Sequence, residues 1–220
     1  MTAHDLSRAL PDVPAVRTRC LGLAALDAVL SPEWEARWHS FDARWSDDEA
    51  MASMRNGQGD EWSIVFGPAG AFLRGFDHES QMSPFRRGGR PFQGVLDAVP
   101  EVFATAASEP AFTLDGTYLA TVCLWRRAGD TAWQVGPVPY PPGDDPDGAD
   151  FLFELLVADG PGAYVQFASD YYEVDLAHRD VAHVLAAGPL SEPLVRRLNP
   201  DVSLRDLEQD LRAMGYPSSG

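Results

Sequence analysis

The sequence predicts an α+β fold, and three observations carry that prediction. Short runs rich in β-branched and aromatic residues, broken by glycine turns, occupy the first two thirds of the chain. Apolar residues at helical spacing occupy 16–30 and most of the chain beyond 150. The strands therefore lie together between helices at both ends, which is the α+β pattern. The expected architecture is an antiparallel sheet, a meander around 48–80 plus a hairpin around 117–136, packed with N-terminal and C-terminal helices. The 220 residues read as a single domain with an irregular arm at 1–15, an exposed loop at 136–149 and a helical part at 150–217.

Taken in order, the arm carries Pro11 and Pro14 and little periodicity. From Val16 to Leu30, Cys20, Leu23, Ala24, Leu26 and Leu30 recur at helical spacing. Ser31-Pro32-Glu33 can cap a second helix bearing Trp34, Trp38, Phe41 and Trp45, but Trp34, Ala36 and Trp38 equally suit a strand, so 32–45 stays open. Ala50–Arg55, Glu61–Gly67 and Gly70–His78 read as three strands, joined by Asn56-Gly57-Gln58-Gly59 and Gly67-Pro68-Ala69-Gly70. A loop at 79–92 and one or two short helices within Gly94–Ala107, broken at Pro100, are expected next. Thr117–Arg126 and Ala132–Val135 form the second hairpin, and Pro, Gly and Asp make 136–149 an exposed connection. Helices are expected at Asp150–Ala158, Pro161–Tyr171, Ser191–Leu198 and Ser203–Met214, with Ser191 and Ser203 as N-caps.

A chain of this length can bury about 70% of the surface its unfolded form exposes, so its core needs no disulfide or metal staple. Cys20 and Cys123 both sit among apolar neighbours and read as buried thiols. All 17 basic side chains are arginine, and the absence of lysine excludes Schiff-base chemistry and lysine-dependent phosphate loops. The net charge of −16 disfavours nucleic acid and anionic membranes and favours a basic partner. No run of 18 apolar residues and no apolar leader core occur, so a cytoplasmic location is expected.

Four clusters contain groups capable of chemistry. Asp77-His78-Glu79 offers a base or metal ligands, but successive strand residues point to opposite faces, so the three converge only if the strand ends there. If the protein is an enzyme, these three are the catalytic candidates. Asp175, His178, Asp180 and His183 lack the i, i+4 histidine pair of a zinc helix and read as a helix surface. Asp145, Asp147 and Glu154 fall on three ligand positions of a calcium loop, but glycine at the first position removes a main ligand. No metal and no cofactor are therefore expected. Arg86-Arg87-Gly88-Gly89-Arg90, between Phe85 and Phe92, is the basic patch, and internal ion pairs or a mobile loop account for it more simply than nucleic acid does.

Leu30-Ser31-Pro32-Glu33-Trp34-Glu35, the stretch from Met51 to Trp62, Gly75-Phe76-Asp77-His78-Glu79-Ser80, and the closing Leu198-Asn199-Pro200 and Gly215-Tyr216-Pro217 resemble a group of uncharacterised bacterial proteins, which implies no activity. In composition and class the chain is similar to the immunity proteins of bacterial toxin systems, including the SMI1/KNR4 type. That resemblance implies an acidic α+β domain that binds a toxin through a charged face. The resulting expectation is a non-enzymatic protein-binding domain. Its acidic surface is formed by Asp60, Glu61, Trp62, Asp77 and Glu79, with Trp45 and Trp133 as further aromatic anchors. The rival is a small-molecule-binding or metal-dependent enzyme using Asp77, His78 and Glu79.

Overall fold

The computed structural model of the protein describes residues 1–217. Its helices are α1 (Ala3–Ala9), α2 (Val13–Leu30), α3 (Ala149–Val157), α4 (Gly162–Tyr171), α5 (His178–Leu185), α6 (Glu192–Leu198) and α7 (Glu208–Met214). Its strands are β1 (His39–Asp42), β2 (Ala50–Arg55), β3 (Glu61–Gly67), β4 (Gly70–Phe76), β5 (Thr113–Leu114), β6 (Thr117–Tyr118), β7 (Val122–Arg127) and β8 (Gln134–Val135). The class is α+β: an antiparallel sheet of order β1-β2-β3-β4-β7-β8 and a small β5-β6 hairpin. The chain forms two compact units, one from Met1–Val13 with Arg55–Val157, the other from Pro14–Met54 with the chain from Ala158 on.

In the first unit, β3 and β4 are joined across Pro68-Ala69, with Gly67 opposite Gly70 and Glu61 opposite Phe76. Gly70 has φ +128°, and a Cβ there would lie 2.0 Å from the Arg126 carbonyl oxygen, so only glycine fits. β4 is buried along its whole length, as a strand covered on both faces must be. One face packs against Met82, Val95, Phe103, Cys123 and Trp125 through Phe72. The other meets α3 at Gly75, where a Cβ would stand 2.9 Å from the Phe153 ring. Arg74 is 1% exposed in the middle of β4. Its guanidinium donates to Glu61 Oε1 at 2.6 Å and to the Leu119 carbonyl at 2.6 Å and lies over the Phe112 ring, which offsets the cost of burying the charge.

The second unit is built on α2, whose Asp27 is fully buried. That carboxylate accepts the His39 backbone N–H at 2.7 Å, pairs with His39 Nδ1 at 3.0 Å and accepts the Tyr164 hydroxyl at 2.6 Å. Gly22 lets α2 meet α5 closely, since a Cβ there would lie 2.5 Å from Leu185 Cα.

Several expectations are corrected. The arm contains α1, a helix too short to declare itself by periodicity; its first N–H groups are satisfied by Asp5 and, at Ala3, by Asp147 far along the chain. Residues 32–45 hold a 3₁₀ turn at Trp34–Ala36, strand β1 at His39–Asp42 and a further turn after it; Trp34, Ala36 and Trp38, the residues that suited a strand, lie outside β1, and no second α-helix forms. Gly94–Ala107 holds only 3₁₀ turns, at Glu101–Phe103 and from Ala106, because Gly94 (φ +87°) and Pro100 leave segments too short to nucleate an α-helix. The second hairpin is split: Thr117–Tyr118 pairs back with Thr113–Leu114, and the Leu119 carbonyl goes to Arg74 before β7 begins. The 136–149 connection is exposed only in part, because Asp147 is 0% exposed and the Ser80 and Thr121 hydroxyls bind the Pro146 and Asp147 carbonyls. Ser203 does not cap α7; its N–H and hydroxyl bind Asp206 instead.

Candidate functional site

The β3–β4 register builds a site at the open end of that hairpin. One step out from the Glu61–Phe76 pair, Asp60 and Asp77 come opposite each other, and His78 follows where the strand has already ended. The condition under which neighbouring residues can converge is met, since Asp77 and His78 lie beyond β4. Asp60, Asp77 and His78 each offer a ligand atom, and those atoms lie within 4.8 Å of one another.

Each member is held by its own contacts. Asp60 Oδ1 lies 2.7 Å from His78 Nδ1 and accepts the His78 backbone N–H at 3.0 Å, and Oδ2 accepts the Asn56 side-chain amide at 2.7 Å. Asp77 Oδ1 accepts the backbone N–H groups of Glu79 and Ser80, and the Asp77 N–H donates to Thr121 Oγ1. The Thr121 hydroxyl donates in turn to the Asp147 carbonyl at 2.7 Å, tying the site to the loop before α3. Gly148, at φ +80°, lies directly against Asp77; a Cβ there would stand 2.4 Å from Asp77 Cβ. Glu79 is the outermost member, 81% exposed, with Oε1 3.9 Å from His78 Nε2.

The electrostatics follow from these contacts. Burial pushes the Asp60 carboxyl up, but the His78 ring and amide and the Asn56 amide outweigh it and hold its pKa below the ordinary value. The same hydrogen bond, donated by the His78 ring to Asp60, raises the pKa of His78. Burial raises Asp77, opposed by its two backbone donors and reinforced by the charge of Asp60. With Nδ1–H donated to Asp60, the neutral imidazole carries its lone pair on Nε2, on the half-buried, accessible side of the ring. Such an Asp–His pair can take up a proton at Nε2 or, with the ring in its other tautomer and the proton on Nε2, present Nδ1 and carboxylate oxygens to a cation.

The remaining predicted residues are dispersed. Trp62 is 1% exposed and packs beside Phe153, so it is core and not a surface anchor. Trp133 is likewise buried, its indole N–H donating to the Pro11 carbonyl, while Trp45 is half-buried. Glu61 is committed to Arg74. Asp145 and Asp147 do not form a calcium loop: Asp145 accepts the Asp150 and Phe151 N–H groups at the start of α3, Asp147 accepts those of Ala3 and Ala149, and Glu154 points outward from the helix. Asp180 forms two 2.9 Å bonds to the Arg197 guanidinium, and His183 Nε2 lies 3.0 Å from the Pro189 carbonyl, so the Asp175, His178, Asp180 and His183 segment gathers no ligand set.

Asp60 is the residue that inspection of the Asp77-His78-Glu79 run overlooks as its partner. The signal that identifies it is the tight Gly67-Pro68-Ala69-Gly70 turn, which sets the register and hence the opposition of Asp60 and Asp77. Among the described residues no helix is long and apolar enough to cross a membrane. No protein-family model, curated protein or solved structure matches the chain.

Proposed function

We propose that this protein is a metal-dependent domain that binds a divalent transition-metal cation between Asp60, Asp77 and His78. The observation that carries this reading is the convergence of the three ligand atoms within 4.8 Å. In tetrahedral or octahedral sites with bond lengths near 2.1 Å, neighbouring ligand atoms stand roughly 3–3.5 Å apart. The 2.7 Å Asp60–His78 hydrogen bond holds two of these atoms together, and a cation between them would replace the shared proton and widen the pair slightly. One imidazole with two carboxylates suits Zn²⁺, Mn²⁺ or Fe²⁺ better than Ca²⁺, which takes oxygen ligands alone. Glu79 stands next to the ring as an exposed carboxylate available to a bound ligand.

The acidic protein-binding surface has less support. Of Asp60, Glu61, Trp62, Asp77 and Glu79, the tryptophan is core, Asp60 and Glu61 are bonded internally, and only Glu79 is broadly exposed.

The test is calorimetric titration of metal-stripped protein with Zn²⁺ and Mn²⁺, with elemental analysis of the product. The expected result is one saturable site in the wild type, weakened at least about tenfold by His78→Ala or Asp77→Asn. Equal binding by wild type and variants, or no binding at all, would overturn the assignment.

A further inference from the structure

The chain bears one positive feature that its charge does not lead one to expect. Arg86, Arg87 and Arg90 line a cavity of about 630 Å³ together with Pro91, Gln93 and Asp97. All three arginines are exposed, and none forms an ion pair among the described residues. Elsewhere Arg37, Arg74 and Arg197 are each fixed by a carboxylate within 3 Å. Of the two expected readings of this segment, internal ion pairs or a mobile loop, the ion pairs do not form among the described residues. In a chain of 33 acidic residues, carboxylates were plentiful enough to neutralise it.

The local structure brings the three together. Pro84–Arg87 forms a 3₁₀ turn that ends at Gly88 (φ +64°), and Gly89 (φ +77°) turns the chain again before Arg90. Arg87 lies over the Phe92 ring, 4.5 Å from its centroid, a contact that uses none of its N–H groups. One carboxylate lines the cavity, that of Asp97, and its Oδ2 accepts the Gly94 N–H at 2.8 Å. Three guanidiniums against one engaged carboxylate leave the cavity cationic. Guanidinium groups stay charged throughout the physiological range and bind oxyanions through paired N–H donors. The cavity is an open surface depression, so the arginines are reachable from solution.

We propose that this cavity is an anion site for a small molecule bearing a diphosphate or polyphosphate group, with Arg86, Arg87 and Arg90 as its donors. A single-stranded nucleic acid would use the same donors but meets the field of a chain with net charge −16, so a compact ligand is favoured. The site uses none of Asp60, Asp77 and His78 and stands or falls separately from them.

The experiment is calorimetric titration of the full chain with inorganic pyrophosphate in EDTA, so that no cation contributes. Arg86→Gln, Arg90→Gln and Asp97→Asn are tested alongside, with a short single-stranded oligonucleotide as a second titrant. Saturable pyrophosphate binding, weakened about tenfold or more by each arginine variant and strengthened by Asp97→Asn, is the expected result. The arginines are exposed, so both variants should retain the wild-type melting profile. Absence of saturable binding, equal affinity in all variants, or tighter binding of the oligonucleotide than of pyrophosphate would each overturn the proposal.

Discussion

Two buried charged residues of the first unit make opposite contributions to stability. Arg74 finds partners in Glu61, the Leu119 carbonyl and the Phe112 ring. Arg74→Met keeps much of the volume but leaves Glu61, which is partly exposed and can rehydrate, and strands the Leu119 carbonyl. A loss of roughly 1–3 kcal/mol in urea unfolding is expected, with part recovered when Glu61→Gln is added. Asp147 is the costly case. Burial pushes its pKa up to about 6 despite the N–H groups of Ala3 and Ala149. Its folded-state pKa therefore exceeds the unfolded value, and the folded protein holds this proton more tightly. Stability should fall as pH rises from about 4 to about 6 and level off above, by about 3 kcal/mol from this group. Carboxylates held low, such as Asp60 and Asp180, act in the reverse sense, losing stability as pH falls. The difference between wild type and Asp147→Asn across a pH series of urea midpoints isolates the Asp147 contribution, and a flat difference would contradict it. Neither residue's role can be read from its neighbours in sequence: Arg74 meets Leu119 and Asp147 meets Ala3 only after folding.

Among the elements, the meander is the part most legible beforehand. Its strand boundaries follow from Gly-rich turns and β-branched runs, and the observed spans Ala50–Arg55, Glu61–Gly67 and Gly70–Phe76 lie within a residue or two of expectation. Elements α1 and the 3₁₀ turns of 94–112 were not legible, because segments this short are decided by distant partners and not by propensity. The loop before α3 shows the same dependence. Gly148 permits both its own φ of +80° and the approach to Asp77. Gly148→Ala should cost about 1–3 kcal/mol in stability and displace Asp77, weakening cation binding at least tenfold even though it removes no ligand. Wild-type affinity in this variant would show that Asp77 does not depend on the loop.

At the level of the whole molecule, each compact unit draws on two separated segments of chain, so neither can be excised as one contiguous piece. A chain ending at Val157 would deprive Asp27 of the Tyr164 hydroxyl and the Val29 carbonyl of its Asn199 donor. In hydrogen exchange, the amides of α2 should then lose protection while those of β3, β4 and β7 keep theirs; loss in both sets would show that the first unit cannot stand alone. The sequence by itself determined the α+β class, the meander, most of the C-terminal helices and the buried thiols. All of these depend on local periodicity and turn chemistry that neighbouring residues carry. Only the tertiary structure decided that Asp60 joins Asp77 and His78, that Trp62 belongs to the core, and that Arg86, Arg87 and Arg90 form no ion pair among the described residues. The Gly67-Pro68-Ala69-Gly70 turn sets the β3–β4 register that opposes Asp60 and Asp77, but which side chains then come within reach depends on distant segments and is encoded by no local pattern.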